Sequence, residues 1–264
     1  MRKRRLIWLF EFLRVMIKLI QHVPQHRGMA NAYLKGDASF KSKMLDMQNR
    51  IDFYFSQLDA VLGQSISVVD YFEIRNIKDD WEKIKLNVFS LKPEDSFRQH
   101  SLVISVCLNT IEDSSELASL QSGNQDYELI IQAVIKEIPY LTETLGQSRG
   151  LGAGIATQAQ CSVANRLKLG FLFEKGMNVL SQTVQPLLNS SESNLQSSKS
   201  LLQACYNNAN GFLDSMDKNL ISTQKITIPP QEFYLMATDA IDGSFNLLDA
   251  LLDVLEIIVV KGHR

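Results

Sequence analysis

From Gln231 to Val260 the apolar residues Phe233, Ala237, Ala240, Ile241, Phe245, Leu248, Leu252 and Leu255 recur at intervals of three and four. That spacing lays them along one face of a long α-helix and is incompatible with the two-residue period of a strand. Similar spacing returns through most of the chain, and the single strand-like run, Lys225 to Ile228, is too short to build a sheet. The chain is therefore expected to be all-α, with about eight helices arranged as two packed four-helix bundles.

Glycine, proline and capping residues place the helix ends. The first helix starts with Leu6 to Ile20, apolar except for Glu11, Arg14 and Lys18, which continue with Gln21 and Gln25 as one narrow polar stripe. Such a helix is expected to be buried on most of its circumference, with Pro24 as a kink. Its basic prefix, Arg2 to Arg5, leaves a second reading open, peripheral contact of residues 1–20 with an anionic membrane surface. After the Gly36-Asp37 break come Phe40 to Leu62, with Leu45, Ile51, Phe55, Leu58 and Leu62 on one side and Gly63 as terminator. Val68 to Phe89 is the third helix, carrying Phe72, Trp81, Ile84 and Val88. Pro93-Glu94-Asp95-Ser96 signals the start of a fourth, capped by Asp95 or Ser96 and running to about Leu117. His100, early in that helix, reads as a hydrogen-bonded or exposed histidine more readily than as a ligand.

Gln121 to Gln125 reads as a linker and a boundary between the two bundles. The fifth helix runs from Asp126 to Ala159 with a kink at Pro139, and the sixth from Ser162 to Leu188, with Leu167, Phe171, Phe173, Val179 and Leu180 available for burial. Asn189 to Ser200 is a loop or exposed helix start, Leu201 to Asn219 the seventh helix, and Thr227-Ile228-Pro229-Pro230 introduces the last.

Two stretches within these helices need a separate explanation. His26-Arg27-Gly28-Met29-Ala30-Asn31-Ala32 is echoed 122 positions later by Ser148-Arg149-Gly150-Leu151-Gly152-Ala153-Gly154. Each glycine in a helix interior forgoes roughly 1 kcal/mol against alanine, and the usual offset is close approach of another helix or a small ligand to the backbone. An arginine on the border of such a face brings a planar, permanently charged fork of donors into a tight space. Two such forks would suit a small planar anion. Alternatively, Arg27 and Arg149 each pair with a carboxylate on a neighbouring helix, and the glycines serve only helix crossing. The repeated motif, each copy downstream of a proline, also suggests an internal duplication.

The segments His26–Asp37, Ser96–His100 and Gly146–Gly154 together resemble the nitrate- and nitrite-sensing, NIT-like, all-helical sensor domain of bacterial signal transducers, over roughly Leu6 to Arg264. The resemblance implies a ligand site for nitrate or nitrite formed by inward-facing arginines. Arg27 matches the first motif and Arg149 the second, with Gly28, Asn31, Ser148 and Gly150 as neighbouring ligand-site residues. It implies one sensor module over residues 1–264, acting without catalysis and signalling through an unknown protein partner or through homodimerisation.

Bulk properties narrow the remaining classes. A net charge of −2 argues against nucleic acid as a partner. Three cysteines, Cys107, Cys161 and Cys205, without CxxC spacing suggest neither a disulfide framework nor a zinc site, and fit a cytoplasmic location. Nucleophile-elbow, phosphate-loop and zincin signatures are missing, and Ile155 stands where a dinucleotide fingerprint requires its third glycine. The expectation is a non-enzymatic protein without a cofactor or metal. The alternative is a helical protein–protein adaptor whose contact face would be Leu6 to Ile20.

Overall fold

A computed structural model describes residues 2–64, 71–117, 120 and 125–261. Among them there is no strand, and the protein is all-α. The chain divides into two compact units, Met1–Leu120 and Gln121–Gly262. Of the expected linker, residues 121–124 lie outside the described residues, as do residues 68–70 at the expected start of the third helix.

The first unit holds α1 (Arg2–Leu34), α2 (Phe40–Leu62), α3 (Tyr71–Asn87) and α4 (Pro93–Leu117). Helix α1 packs on α2 and α4, and α3 packs on α4. Side chains tie α3 back to α2, since Trp81 Nε1 donates to Asp52 Oδ1 at 2.9 Å and Lys85 Nζ to Asp52 Oδ2 at 3.0 Å. The ring of helices is thereby closed.

The N-terminal run fills this core. Leu6, Trp8, Leu9, Phe10, Phe12, Leu13, Met16, Ile17, Leu19 and Ile20 are all buried, while Glu11 is exposed and Arg14 and Lys18 half-buried. Trp8 stacks on Phe12, and its Nε1–H donates at 2.8 Å to the Val61 carbonyl, which in the last turn of α2 also accepts from the Gln64 N–H. Apart from Ile7 and the half-buried Val15, this segment has no apolar face to offer a partner or a bilayer. That corrects the placing of the adaptor's contact face at Leu6 to Ile20. No helix among the described residues is long and apolar enough to cross a membrane. Helix α1 continues through Pro24 to Leu34 and stops at Gly36, whose φ of +108° is open to glycine and strained for other residues.

Helix α4 begins two residues earlier than Asp95. Pro93 takes the first turn, where its missing N–H loses nothing, so Ser96 lies inside the helix and is buried.

The second unit is built from four helical stretches, 125–158, 163–189, 193–221 and 230–261. Their main segments are α5 (Gln125–Gln132), α6 (Ile138–Gln158), α7 (Val163–Val179), α8 (Gln185–Asn189), α9 (Lys199–Met216) and α10 (Pro230–Glu256). Helix α6 packs on α7 and α10, and α9 packs on α7 and α10.

Each of the four stretches contains a π-turn, at Ala133–Glu137, Leu180–Val184, Asp217–Ile221 and Ile257–Lys261. Two of these have a visible cause. Pro139 and Pro186 lack an N–H, and each ring would press on the carbonyl four residues back, Ile135 and Gln182. Both carbonyls lie inside a π-turn, whose wider winding relieves the clash. The kink expected at Pro139 is thus accommodated as a change of helix winding just before it.

Two carbonyl-rich ends in this unit are closed by cations. Arg166 donates to the carbonyls of Leu220, Ile221 and Thr223, and Lys199 Nζ to those of Leu187, Leu188 and Ser190. Positive charge there also complements the helix dipole. Three residues expected in cores are instead exposed, Leu45, Leu167 and Phe171, because helical spacing identifies a face without saying whether another element covers it.

Candidate functional site

Arg27 and the residue before it reach α4 by two successive cross-links. Arg27, only 3% exposed, donates from Nη1 to Ser101 Oγ at 2.8 Å, and its guanidinium carbon lies 4.7 Å from the centre of the Phe97 ring. Phe97 and Ser101 are four residues apart, so they share one face of α4. Stacking on an aromatic face compensates part of the charge's desolvation.

Beside this contact, His26 Nδ1 lies 2.8 Å from His100 Nε2, and both side chains have no solvent exposure. A carbonyl only accepts, so the 2.6 Å contact from His100 Nδ1 to the Ser96 carbonyl places a proton on that nitrogen. In the neutral ring His100 Nε2 must then accept from His26 Nδ1–H. His26 Nε2 in turn accepts from the Gln48 amide at 3.2 Å. The result is a one-directional chain, Gln48 to His26 to His100 to Ser96, in which no donor or acceptor conflicts.

Trp81 packs edge-on against His26, with ring centres 5.1 Å apart. Burial, reinforced by His100, holds His26 down to about 3. His100 is held down to about 4 by burial and by the Arg27 charge, against the raising effect of the Ser96 carbonyl. Both rings are neutral at pH 7.

The second motif is built in the same way within its own unit. Arg149 donates from Nη1 to Thr238 Oγ1 at 3.1 Å, and its guanidinium carbon lies 4.9 Å from the Tyr234 ring centre. Tyr234 and Thr238 are again four residues apart. In each unit, then, an arginine on the first helical stretch meets an aromatic and a hydroxyl one turn apart on the last. Asp242 lies near enough to Arg149 to feel its charge, which opposes the upward push of burial on that carboxyl.

What surrounds the two arginines differs. Ser148, at the position before Arg149, is buried and donates to the Thr144 carbonyl at 2.8 Å. Phe233 fills the neighbouring space, so close to α6 that a Cβ at Gly152 would stand 2.3 Å from its Cε1. The equivalent region of the first unit holds the histidine chain.

Of the residues expected at a ligand site, Arg27 belongs to the first unit and Arg149 to the second, where it is half-buried. Gly28 and Gly150 are exposed, and a Cβ at Gly28 would meet nothing within 4 Å. Asn31, one turn beyond Arg27, is half-buried. The close approach expected of the small-residue face is made by Gly152. His26, Gln48, Ser96, Trp81, Phe97 and Ser101 were not anticipated at the site. The aromatic–hydroxyl pairs at a spacing of four, together with a histidine abutting the arginine, were the available signals.

No family model matches the chain, and neither does any curated protein. Among solved structures, the chain is similar to the NasR transcription antiterminator, with a TM-score of 0.70 and 14% identity, covering 99% of this chain and 72% of that one. The likeness is one of fold. It spans both units.

Proposed function

We propose that the protein is a non-enzymatic sensor module of the cytoplasm that binds nitrate or nitrite at Arg27 and passes the signal to a protein partner or through self-association. The observation that carries this reading is the seat of Arg27. A nearly buried guanidinium is fixed on Phe97 and Ser101, with only 3% of the residue exposed, beside the buried, hydrogen-bonded chain of two neutral histidines. A planar oxyanion offers such a fork the acceptors it matches best. Asn31 is the nearest auxiliary on α1, and Arg149, Ser148 and the motif glycines are the corresponding group in the second unit. The resemblance of the motifs to NIT-like sensors names the anion, and the fold shared with a transcription antiterminator supports a regulatory role. Binding would act by shifting helix packing between two arrangements.

Thermal unfolding with nitrate, with chloride as the control anion, tests this reading. A ligand at 100 times its dissociation constant stabilises by about 2.7 kcal/mol. A nitrate-specific upshift that disappears in Arg27→Ala supports the site, and no upshift at tens of millimolar nitrate refutes it.

One observation favours the adaptor reading instead. Val163, Leu167 and Phe171 form a stripe on α7 that is 76%, 70% and 58% exposed, a face suited to a protein contact. If that face joins two copies, sedimentation velocity will show a dimer that Leu167→Glu dissociates.

A further inference from the structure

Arg27 and His26 are consecutive on α1, and their partners Ser101 and His100 are consecutive on α4, so the anion seat and the histidine chain are adjoining cross-links between the same two helices. The chain from Gln48 to Ser96 has its donors and acceptors fully matched with both imidazoles neutral. It has one other consistent arrangement. If a proton is added, His100 donates from both ring nitrogens, His26 moves its N–H to Nε2, and Gln48 turns its carbonyl oxygen to receive it. The direction of the chain reverses between His100 and Gln48, and every group stays satisfied.

The charges around the pair decide which arrangement holds. On α1 they are Arg27 and, one turn earlier, His22, itself near Lys18 and Arg50. On α2 and α3 they are Asp52, which accepts from Trp81 Nε1–H, and Lys85, which pairs with Asp52 and Glu82. On α4, Asp95 and Arg98 pair on the exposed side. Arg27 is the charge that acts on His100, and an oxyanion on its fork would cancel it.

Resting on the sensor reading above, we infer that oxyanion binding at Arg27 is coupled to uptake of one proton from solvent by the His26–His100 pair. The bound negative charge and the added positive one then sit side by side, and the reversed chain is the second packing state. Linkage makes the effect reciprocal, so acid tightens anion binding and the anion makes the histidines more basic.

Titration calorimetry of nitrate into the intact protein, in two buffers of different ionisation enthalpy between pH 7.5 and pH 5, reads the protons directly. The expected result is a buffer-dependent heat signifying uptake, with affinity tightening by up to about tenfold per pH unit as pH falls. In His100→Gln the proton uptake should vanish. Nitrogen-15 spectra of the histidines in the unmodified protein give the same answer independently, as a titration midpoint moved upward by nitrate but not by chloride. Binding without buffer-dependent heat, or uptake unchanged in His100→Gln, overturns the coupling while leaving the sensor reading intact. No nitrate heat at any pH overturns both.

Discussion

Acid should destabilise the first unit through His26 and His100 by an amount that can be worked out from their burial. In the unfolded chain each imidazole titrates near 6.5, whereas in the fold His26 is held to about 3 and His100 to about 4. Between those values the unfolded chain binds protons that the folded one does not. The stability contributed by the neutral pair is therefore complete above about pH 7 and is lost as pH falls toward 4. At pH 6 each histidine contributes about 0.8 kcal/mol less than at pH 8, and at pH 5 about 2 kcal/mol less, so that the pair loses about 4 kcal/mol. That is a large part of the 5–15 kcal/mol typical of a domain. The result at pH 5 is set by the unfolded value because both folded values lie a unit or more below pH 5. Urea unfolding at pH 8, 7, 6 and 5 measures the loss, with His26→Gln/His100→Gln as the reference, because carboxylates and His22 titrate alike in both proteins. The wild type should lose about 4 kcal/mol more than the double variant between pH 8 and pH 5. Parallel pH profiles, agreeing to within about 1 kcal/mol, would refute the neutral, one-directional chain.

Two glycines on α6 should respond oppositely to alanine. At Gly152 the new Cβ would stand 2.3 Å from Phe233 Cε1, forcing the ring aside, and overpacking of about 1–3 kcal/mol should outweigh the gain of about 1 kcal/mol in helix preference. At Gly154 nothing lies within 4 Å, so alanine should stabilise by up to about 1 kcal/mol; thermal unfolding of both variants checks the signs. Arg166→Ala removes the donors shared by the carbonyls of Leu220, Ile221 and Thr223. It should destabilise by about 1–3 kcal/mol, with faster amide exchange confined to residues 217–223, whereas uniform acceleration would show a global role instead.

The all-α architecture was legible because its determinants are local. Gly36, Ser162 and Pro229-Pro230 mark ends that backbone chemistry enforces, and the three-and-four spacing of α10 reports a face covered along its length. The polar stripe of α1 was legible for the same reason. Leu167 and Phe171 share that spacing yet stay exposed, since covering a face depends on another element and leaves no mark in the helix itself. The site was legible by half. Arginine followed by glycine drew attention to Arg27 and Arg149, but the partner of His26 lies 74 residues away on α4. The arginine beside His26 and the Phe97–Ser101 spacing around His100 mark each histidine, but neither names the other as its partner. The reading of His100 as a hydrogen-bonded residue agrees with its contacts to Ser96 and His26.

The π-turns of the second unit bear on how such a chain can change its length. A π-turn accommodates one residue more than an α-turn, so the segments on either side keep their faces although the count between them differs. Removing one residue within Leu180–Val184 would leave Val179 and Leu187 directed at the core, but the ordinary helix that results would press the Pro186 ring on the carbonyl four residues back, so such a deletion should come together with loss of that proline. The same deletion in α1 upstream of Arg27 would swing the guanidinium by about 100° away from Ser101. Single-residue gaps between this chain and its relatives should therefore collect in the second unit, at places where a helix already carries one residue to spare, while the first unit keeps its spacing.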